Sequence, residues 1–352
     1  MNRIIYEDIR DIIASECVDW KRFDKKTVLI AGATGMLPSY MALTLLGLSR
    51  AKRIEVKVIL LVSNLQKARK VFEDYLDLES LSFIVQDVSA PVEVESEVDF
   101  IIHAASQASP KCYGTDPVGT LNANVLGTHN LLELAKRKHA EGFLFFSTGG
   151  VYGNFATEDI VITENMYGSI DPLHVRSCYF ESKRMAENMC ACYAYQYGVP
   201  VKIIRIFHTL GPNVDINDGR AFSDFCKAII EGKDIVLRSD GSAMRTFCYA
   251  ADAVKGYFMV LLNGKSGEAY NVGSTDNEIS MRDLAEMLVG LYPEKKLSVR
   301  YEIDPGSVTY TKMRNAVNRA IPSTDKIKSL GWSETADIPT IFRRTIDSHI
   351  AE

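Results

Sequence analysis

No hydrophobic run in this chain approaches the length of a membrane span. The opening stretch, MNRIIYEDIRDIIASECVDW, lacks the uninterrupted apolar segment of a secretory signal. Together these absences predict a cytoplasmic protein with no membrane partner. Positive charge is not in excess: 40 Lys and Arg against 45 Asp and Glu leave a net charge of −5, which removes the footprint of a nucleic-acid binder. The seven cysteines, at 17, 112, 178, 190, 192, 226 and 248, are odd in number and scattered, with no CxxC pair. That argues against a disulfide framework and a zinc site, and no metal is expected. Internal repeats and low-complexity segments are also missing, which excludes a solenoid.

What is present is a chain of 352 residues with 47% hydrophobic and 24% charged residues, enough to bury one large core or two ordinary ones. Ile4, Ile5, Ile9, Ile12 and Ile13 recur at helical spacing, predicting an amphipathic helix over about 5–17. Its polar face carries Glu7, Asp8 and Asp11 rather than a basic cluster, so it is read as packing, not as a membrane-surface element.

Lys26 to Ala31 is a buried-strand run that leads straight into Gly32-Ala33-Thr34-Gly35-Met36-Leu37-Pro38 and then a helical stretch to about Leu48. Strand, glycine turn and helix form a dinucleotide signature: glycine lets the backbone approach a pyrophosphate, and the helix start presents unpaired N–H groups. The spacing is GxxGxxx, with Pro38 at the third glycine position, where a first helical turn tolerates proline. The second strand, 54–62, ends at Ser63-Asn64, with no acid for a ribose 2′-hydroxyl. Ser63 beside Lys67 or Arg69 suits a 2′-phosphate, which tilts the expected cofactor from NAD toward NADP.

Further strands are predicted at 82–86, before Asp87-Val88; at 98–102, before His103-Ala104-Ala105-Ser106; at 143–146, before Ser147-Thr148-Gly149-Gly150; and at 200–206. A long helix over about 116–135 contains Asn124. Strands alternating with helices predict an α/β fold, a Rossmann-type doubly wound parallel sheet with ligands beyond the strand carboxyl ends. After residue 206 the rhythm breaks. The expected division is a helical extension (1–26), a cofactor domain (27–206 with 249–275) and a smaller mixed α/β lobe for substrate (207–248 and 276–352).

One further stretch carries chemistry. In Arg176-Ser177-Cys178-Tyr179-Phe180-Glu181-Ser182-Lys183-Arg184, a Tyr stands four residues before a Lys, on one face of a helix. A neighbouring ammonium favours a phenolate and can make Tyr179 a proton-transfer group.

The ordered set GATG, HAAS, NxxGT, STGGVYG, YxxSK, RIFxTxGP and LGW resembles the extended short-chain dehydrogenase/reductases of the NAD-dependent epimerase/dehydratase family, over roughly residues 27–332. RSCYFESKR, RIFHTLGPN, DGRAFSDF and GSAMRTFCYAAD are most similar to the UDP-glucuronate decarboxylase branch. The resemblance implies a nucleotide-diphosphate sugar as substrate and a homodimer formed through helices near 117–138 and 179–197. It implies that Thr148, Tyr179 and Lys183 are catalytic. Cofactor contacts would come from Gly32, Thr34, Gly35, Met36, Leu37, Ser63, Asn64, Arg69, Asp87, Val88, Ala104, Ala105, Ser106, Asn124 and Lys183. Substrate contacts would come from Gly149, Gly150, His208, Arg220 and Arg245.

Two departures bear on the reaction. Dehydratases of this family carry Asp-Glu, and its decarboxylases a Glu, where this chain has Gly149-Gly150. His208 stands in place of the usual Asn, as a polar contact or as a group titrating near neutrality. The expected activity is therefore NAD(P)-dependent epimerisation or 4-ketoreduction through a 4-keto sugar. The alternatives are decarboxylation of a nucleotide-linked uronic acid, since a β-keto acid can lose CO2 unaided, and a non-catalytic NAD(P)-binding protein.

Overall fold

A computed structural model describes residues 1–155, 159–303 and 319–350. Its centre is a seven-stranded, all-parallel sheet of β1 (Lys26–Ala31), β2 (Val56–Val62), β3 (Leu81–Val85), β4 (Phe100–His103), β5 (Gly142–Thr148), β7 (Val201–Ile206) and β12 (Glu268–Val272), in the order β12-β7-β5-β4-β1-β2-β3. This is the expected doubly wound α/β sheet, with one more edge strand than the sequence disclosed. The order reverses direction between β1 and β4, and the loops diverging there open a crevice at the strand carboxyl ends.

Both faces of the sheet are covered, which is why its strands read as continuous apolar runs. Val28, Ile30, Leu60, Leu144 and Ile204 point to one side, against α2 (Met36–Arg50) and α8 (Ala250–Asn263). Leu29, Leu61, Ile101, Phe143 and Ile203 point to the other, against α5 (Pro117–Arg137) and α6 (Cys178–Tyr197). The α5 start is set by Asp116, which accepts from the Gly119 N–H at 3.0 Å, followed by Pro117 in the first turn. Gly198, at φ +68°, ends α6 in the left-handed conformation.

The N-terminal helix α1 (Arg3–Ala14) begins at an Asn2 cap and lays Ile5, Ile9 and Ile12 into the core. Short helices α3 (Leu65–Val71) and α4 (Pro110–Thr115) follow β2 and β4. Beyond the sheet stand α7 (Ala221–Glu231), α9 (Met281–Leu291), a C-terminal helix Ile338–Ile350 and four two-stranded pairs. These pairs are β6 (Asp159–Ile162) with β15 (Arg319–Pro322), β8 (Thr209–Leu210) with β11 (Cys248–Tyr249), β9 (Ile235–Leu237) with β14 (Val299–Tyr301), and β10 (Met244–Thr246) with β13 (Glu278–Ser280). Phe222, Phe225, Leu284 and Phe342 belong to the same buried cluster as α2 and α8, so one core runs through both parts. Among the described residues no helix is long and apolar enough to cross a membrane.

Candidate active site

The crevice holds a cavity of about 940 Å³. At one end β1 runs into Gly32 at φ +77°, where a Cβ would come within 2.6 Å of the Ala105 Cα and N. Only glycine fits this close crossing of two strand ends. The turn leads to the start of α2, where Gly35 offers no side chain to the first N–H groups. Those donors are then available to a phosphate, with the helix dipole adding positive charge. Thr34, Met36, Leu37, Ala104, Ala105 and Ser106 all line this end, and the buried Ser106 Oγ has no protein partner. A glycine cradle, an uncapped helix start and an orphaned hydroxyl fit a dinucleotide.

Ser63, Asp87, Val88 and Lys67 line the far end. Asn64 does not; its side chain caps α3 by accepting from the Lys67 N–H at 2.9 Å, which fixes Lys67 in the first turn. Arg69 is exposed outside the cavity lining. Asn124 lies behind the wall, fully buried, donating to Ser182 Oγ at 2.9 Å. His103 is also buried behind it, against the Thr128 hydroxyl at 3.0 Å, and burial keeps it neutral.

The side chains expected to transfer a proton meet in the same cavity. Tyr179 stands in the first turn of α6, facing Thr148 at the end of β5 and stacked on Tyr113 of α4, with ring centroids 4.6 Å apart and planes at 12°. Burial pushes its phenol up to about 12, against the opposing pull of the Thr148 hydroxyl, the Arg220 charge and Tyr113. Lys183 is buried one turn on, with Nζ donating to the Phe146 carbonyl at 2.7 Å and lying 5.9 Å from the Tyr179 ring centroid. Desolvation pushes it down to about 7, and Glu187 partly restores it. The expected effect of the ammonium on the phenol is therefore not what sets Tyr179 in this state. Burial sets it, offset only in part by Thr148 and Arg220, and at neutral pH the phenol keeps its proton.

Beside this pair the two glycines are packed over. A Cβ on Gly150 would meet the Phe180 Cε1 at 2.2 Å, and one on Gly149 would meet the Phe207 ring at 2.9 Å. Aromatic rings close the space beside both glycines.

His208, Arg220 and Arg245 line the same cavity. Burial and the two arginines push His208 down to about 4, so it is a neutral contact at neutral pH rather than a titrating group. Arg220 is paired with Asp218, Nε to Oδ2 at 2.6 Å, and its guanidinium lies 4.7 Å over the Phe222 ring. Arg245 donates to the Met244 carbonyl at 2.6 Å.

Tyr113, Phe180, Phe207 and Thr209 line the cavity without having been singled out in the sequence. The one available signal was the Gly-Gly pair itself: two missing side chains leave a space that a bulky neighbour fills. Among the described residues no group of three His, Cys, Asp or Glu side chains is placed to hold a metal ion.

A parallel Rossmann-type sheet with this Thr-Tyr-Lys arrangement defines an extended short-chain dehydrogenase/reductase. The family described as NAD dependent epimerase/dehydratase matches residues 28–273, and the chain belongs to it. It is 33% identical to UDP-glucuronic acid decarboxylase 1 of Xenopus tropicalis over 327 residues, covering 92% of this chain and 72% of that protein. Identity to UDP-glucuronic acid decarboxylase 6 of Arabidopsis thaliana is 35% over 259 residues, 74% of this chain and 72% of the relative. In structure the chain is similar to an NAD complex of UDP-glucuronic acid 4-epimerase from Bacillus cereus, with a TM-score of 0.75 at 21% identity over 92% and 98% of the two chains. It is also similar to an NAD complex of dTDP-glucose 4,6-dehydratase from Bacillus anthracis, with a TM-score of 0.74 at 20% identity over 93% and 97%.

Proposed function

We propose that the protein is an NAD(P)-dependent nucleotide-sugar epimerase or 4-ketoreductase, working by oxidation and reduction at C4 without elimination. The observation that carries this reading is the intact Thr148–Tyr179 couple beside a space closed by Phe180 and Phe207. Proton transfer at a hydroxyl needs only that couple with Lys183 behind it, whereas elimination needs a second acid–base group that the two rings displace.

The bound nicotinamide supplies reversible hydride exchange. Tyr179 Oη and Thr148 Oγ hold the sugar oxygen between them, Tyr179 carrying the proton to and from it. The resting phenol, still protonated, is ready to give its proton to a 4-keto oxygen, and oxidation of a C4 hydroxyl requires that it first release that proton to solvent. Arg220 and Arg245 attract the diphosphate, and neutral His208 offers a polar contact. The protein acts as a homodimer in this reading, and exposed Val118, Leu121 and Leu126 on α5 with Met185 and Tyr195 on α6 support it.

The second reading, uronic acid decarboxylation, is favoured by the relatives at 33–35% identity. The experiment that separates them identifies the bound cofactor and incubates the enzyme with UDP-, dTDP-, GDP- and CDP-sugars. Isomer formation without net cofactor change supports epimerisation, and stoichiometric NAD(P)H loss with a 4-keto sugar supports reduction. CO2 release supports decarboxylation, while cofactor binding without turnover of any nucleotide sugar leaves a non-catalytic role. Tyr179→Phe is expected to lower turnover by about 10²–10⁴-fold while sparing cofactor binding; unchanged turnover overturns the assignment.

A further inference from the structure

Tyr179, Lys183 and Glu187 form one stripe along α6, at i, i+4 and i+8. Each grips one of three consecutive residues at the end of β5. Tyr179 faces the Thr148 hydroxyl, and Lys183 Nζ donates to the Phe146 carbonyl at 2.7 Å. Glu187 Oε1 accepts from the Ser147 hydroxyl at 2.5 Å. The Glu187 carboxylate is itself fixed by Arg205, whose Nε donates to Oε1 at 3.0 Å and whose Nη2 donates to Oε2 at 2.7 Å. Arg205 is the neighbour of Ser147 in the register between β5 and β7, so one guanidinium and one hydroxyl aim at the same carboxylate from adjacent strands. Arg205 is held in turn by the Tyr152 hydroxyl at 3.0 Å and the Glu164 carbonyl at 2.9 Å.

This arrangement is more than packing, because of what faces Lys183. From β4 comes His103, buried and neutral. From α6 itself come Tyr179, Cys190 and Glu187, and burial holds the first two in their protonated forms. Glu187 is the anion of that set; although Arg205 pairs with it from β7, its attraction still supports the buried ammonium one turn back on α6.

We propose that Glu187 is a positioning residue for the proton transfer. It anchors Ser147, and with it the backbone carrying Thr148, and it supplies the negative charge that keeps Lys183 cationic. The proposal rests on the reading of Thr148, Tyr179 and Lys183 as the proton-transfer machinery.

The test compares pH profiles of kcat for wild type, Glu187→Gln, Glu187→Asp and Ser147→Ala on whichever nucleotide sugar the wild type turns over. Loss of the Lys183 proton as pH rises produces the basic limb. Removing the anion lets that proton leave earlier, so Glu187→Gln is expected to move the limb down by about one pH unit and lower kcat by about 10–100-fold, with KM little changed. Glu187→Asp should return the limb toward its wild-type position. Ser147→Ala keeps the Glu187–Arg205 pair, so it should lower kcat about 3–10-fold and leave the limb in place. A folded Glu187→Gln enzyme with an unmoved basic limb overturns the charge role. Unchanged kcat in Ser147→Ala overturns the anchoring role, a result available even if Glu187→Gln fails to fold. A wild type inactive on every nucleotide sugar overturns the parent reading and this one with it, which separates the two failures.

Discussion

The Phe180 ring occupies the place a side chain at Gly150 would need, with Cε1 2.2 Å and Cδ1 2.3 Å from a Cβ built there. That ring also packs edge-on to Tyr179, centroids 5.4 Å apart, and to Tyr113 at 6.2 Å. A methyl group at 150 can therefore be admitted only by moving a ring that abuts the reactive phenol. Gly150→Ala should lower kcat about 10-fold or more and leave cofactor affinity within a factor of about two, since about 1–3 kcal/mol of overpacking falls on Tyr179 and not on the glycine turn. Adding Phe180→Ala should recover most of the loss. A double-mutant cycle with no coupling between the two positions would show that the ring does not close this space.

Cofactor choice turns on the far end of the cavity. Of the three groups that the sequence offered to a 2′-phosphate, Ser63 and Lys67 line the cavity and Arg69 does not. Lys67→Ala should weaken NADP binding about 10-fold and barely change NAD binding, while Arg69→Ala should change neither. Titration of both cofactors by fluorescence checks this. Equal loss for NAD and NADP in Lys67→Ala would remove the argument for a 2′-phosphate contact.

Lys183 has a measurable cost in the cofactor-free protein. Its folded pKa is pushed down to about 7 from 10.5, so between these values the unfolded chain holds more protons than the folded one. Stability attributable to this group therefore rises with pH across about 7–10.5 and is lowest below 7, where the buried amine must carry its charge. Lys183→Met should raise the Tm of the cofactor-free protein at pH 6–7 by about 2 °C or more, with the advantage fading toward pH 10, and should abolish turnover. Melts belong below pH 10, because ionisation of Tyr179, pushed up to about 12 from 10, destabilises the fold above that. A lower Tm for Lys183→Met at pH 6 would contradict the desolvation argument.

The sheet was readable because a parallel strand covered on both faces is a short apolar run bounded by glycine, proline or polar turns. β1 to β5 and β7 fall within about two residues of their predicted bounds for that reason. β12 escaped notice because its sequence, EAYNV, breaks the apolar run with Asn271, whose amide is buried and donates to the Ile162 and Ser323 carbonyls. At the site, the glycine turn and the Tyr179–Lys183 spacing were legible as local chemistry. The roles of Phe180 and Phe207 were not, since what fills a missing side chain's place depends on where distant elements cross. The same holds for electrostatics: the sequence leaves His208 as a polar contact or as a group titrating near neutrality, and its burial beside Arg220 and Arg245 favours the neutral contact. Asn64 and Asn124 matched positions in a motif, but their side chains cap α3 and join α5 to α6.

The N-terminal helix offers a test that separates folding from chemistry. Asp8 of α1, 2% exposed, accepts from the Tyr40 hydroxyl at 2.8 Å, the Tyr249 hydroxyl at 2.7 Å and Arg344 Nη2 at 2.7 Å. One carboxylate thus joins α1, α2, the start of α8 and the C-terminal helix, and none of these four side chains lines the cavity. Removing it leaves three donors without their acceptor, one of them a cation, and should cost roughly 2–4 kcal/mol. Asp8→Ala is expected to lower the denaturation midpoint by that amount while kcat per folded molecule stays within a factor of about two at temperatures well below the new Tm. The same loss of stability with kcat falling 10-fold or more would mean that the position of α2, whose start forms the glycine turn, depends on this anchor. An unchanged midpoint would mean that α1 adds nothing to the common core, against the burial of Ile5, Ile9 and Ile12 beneath it.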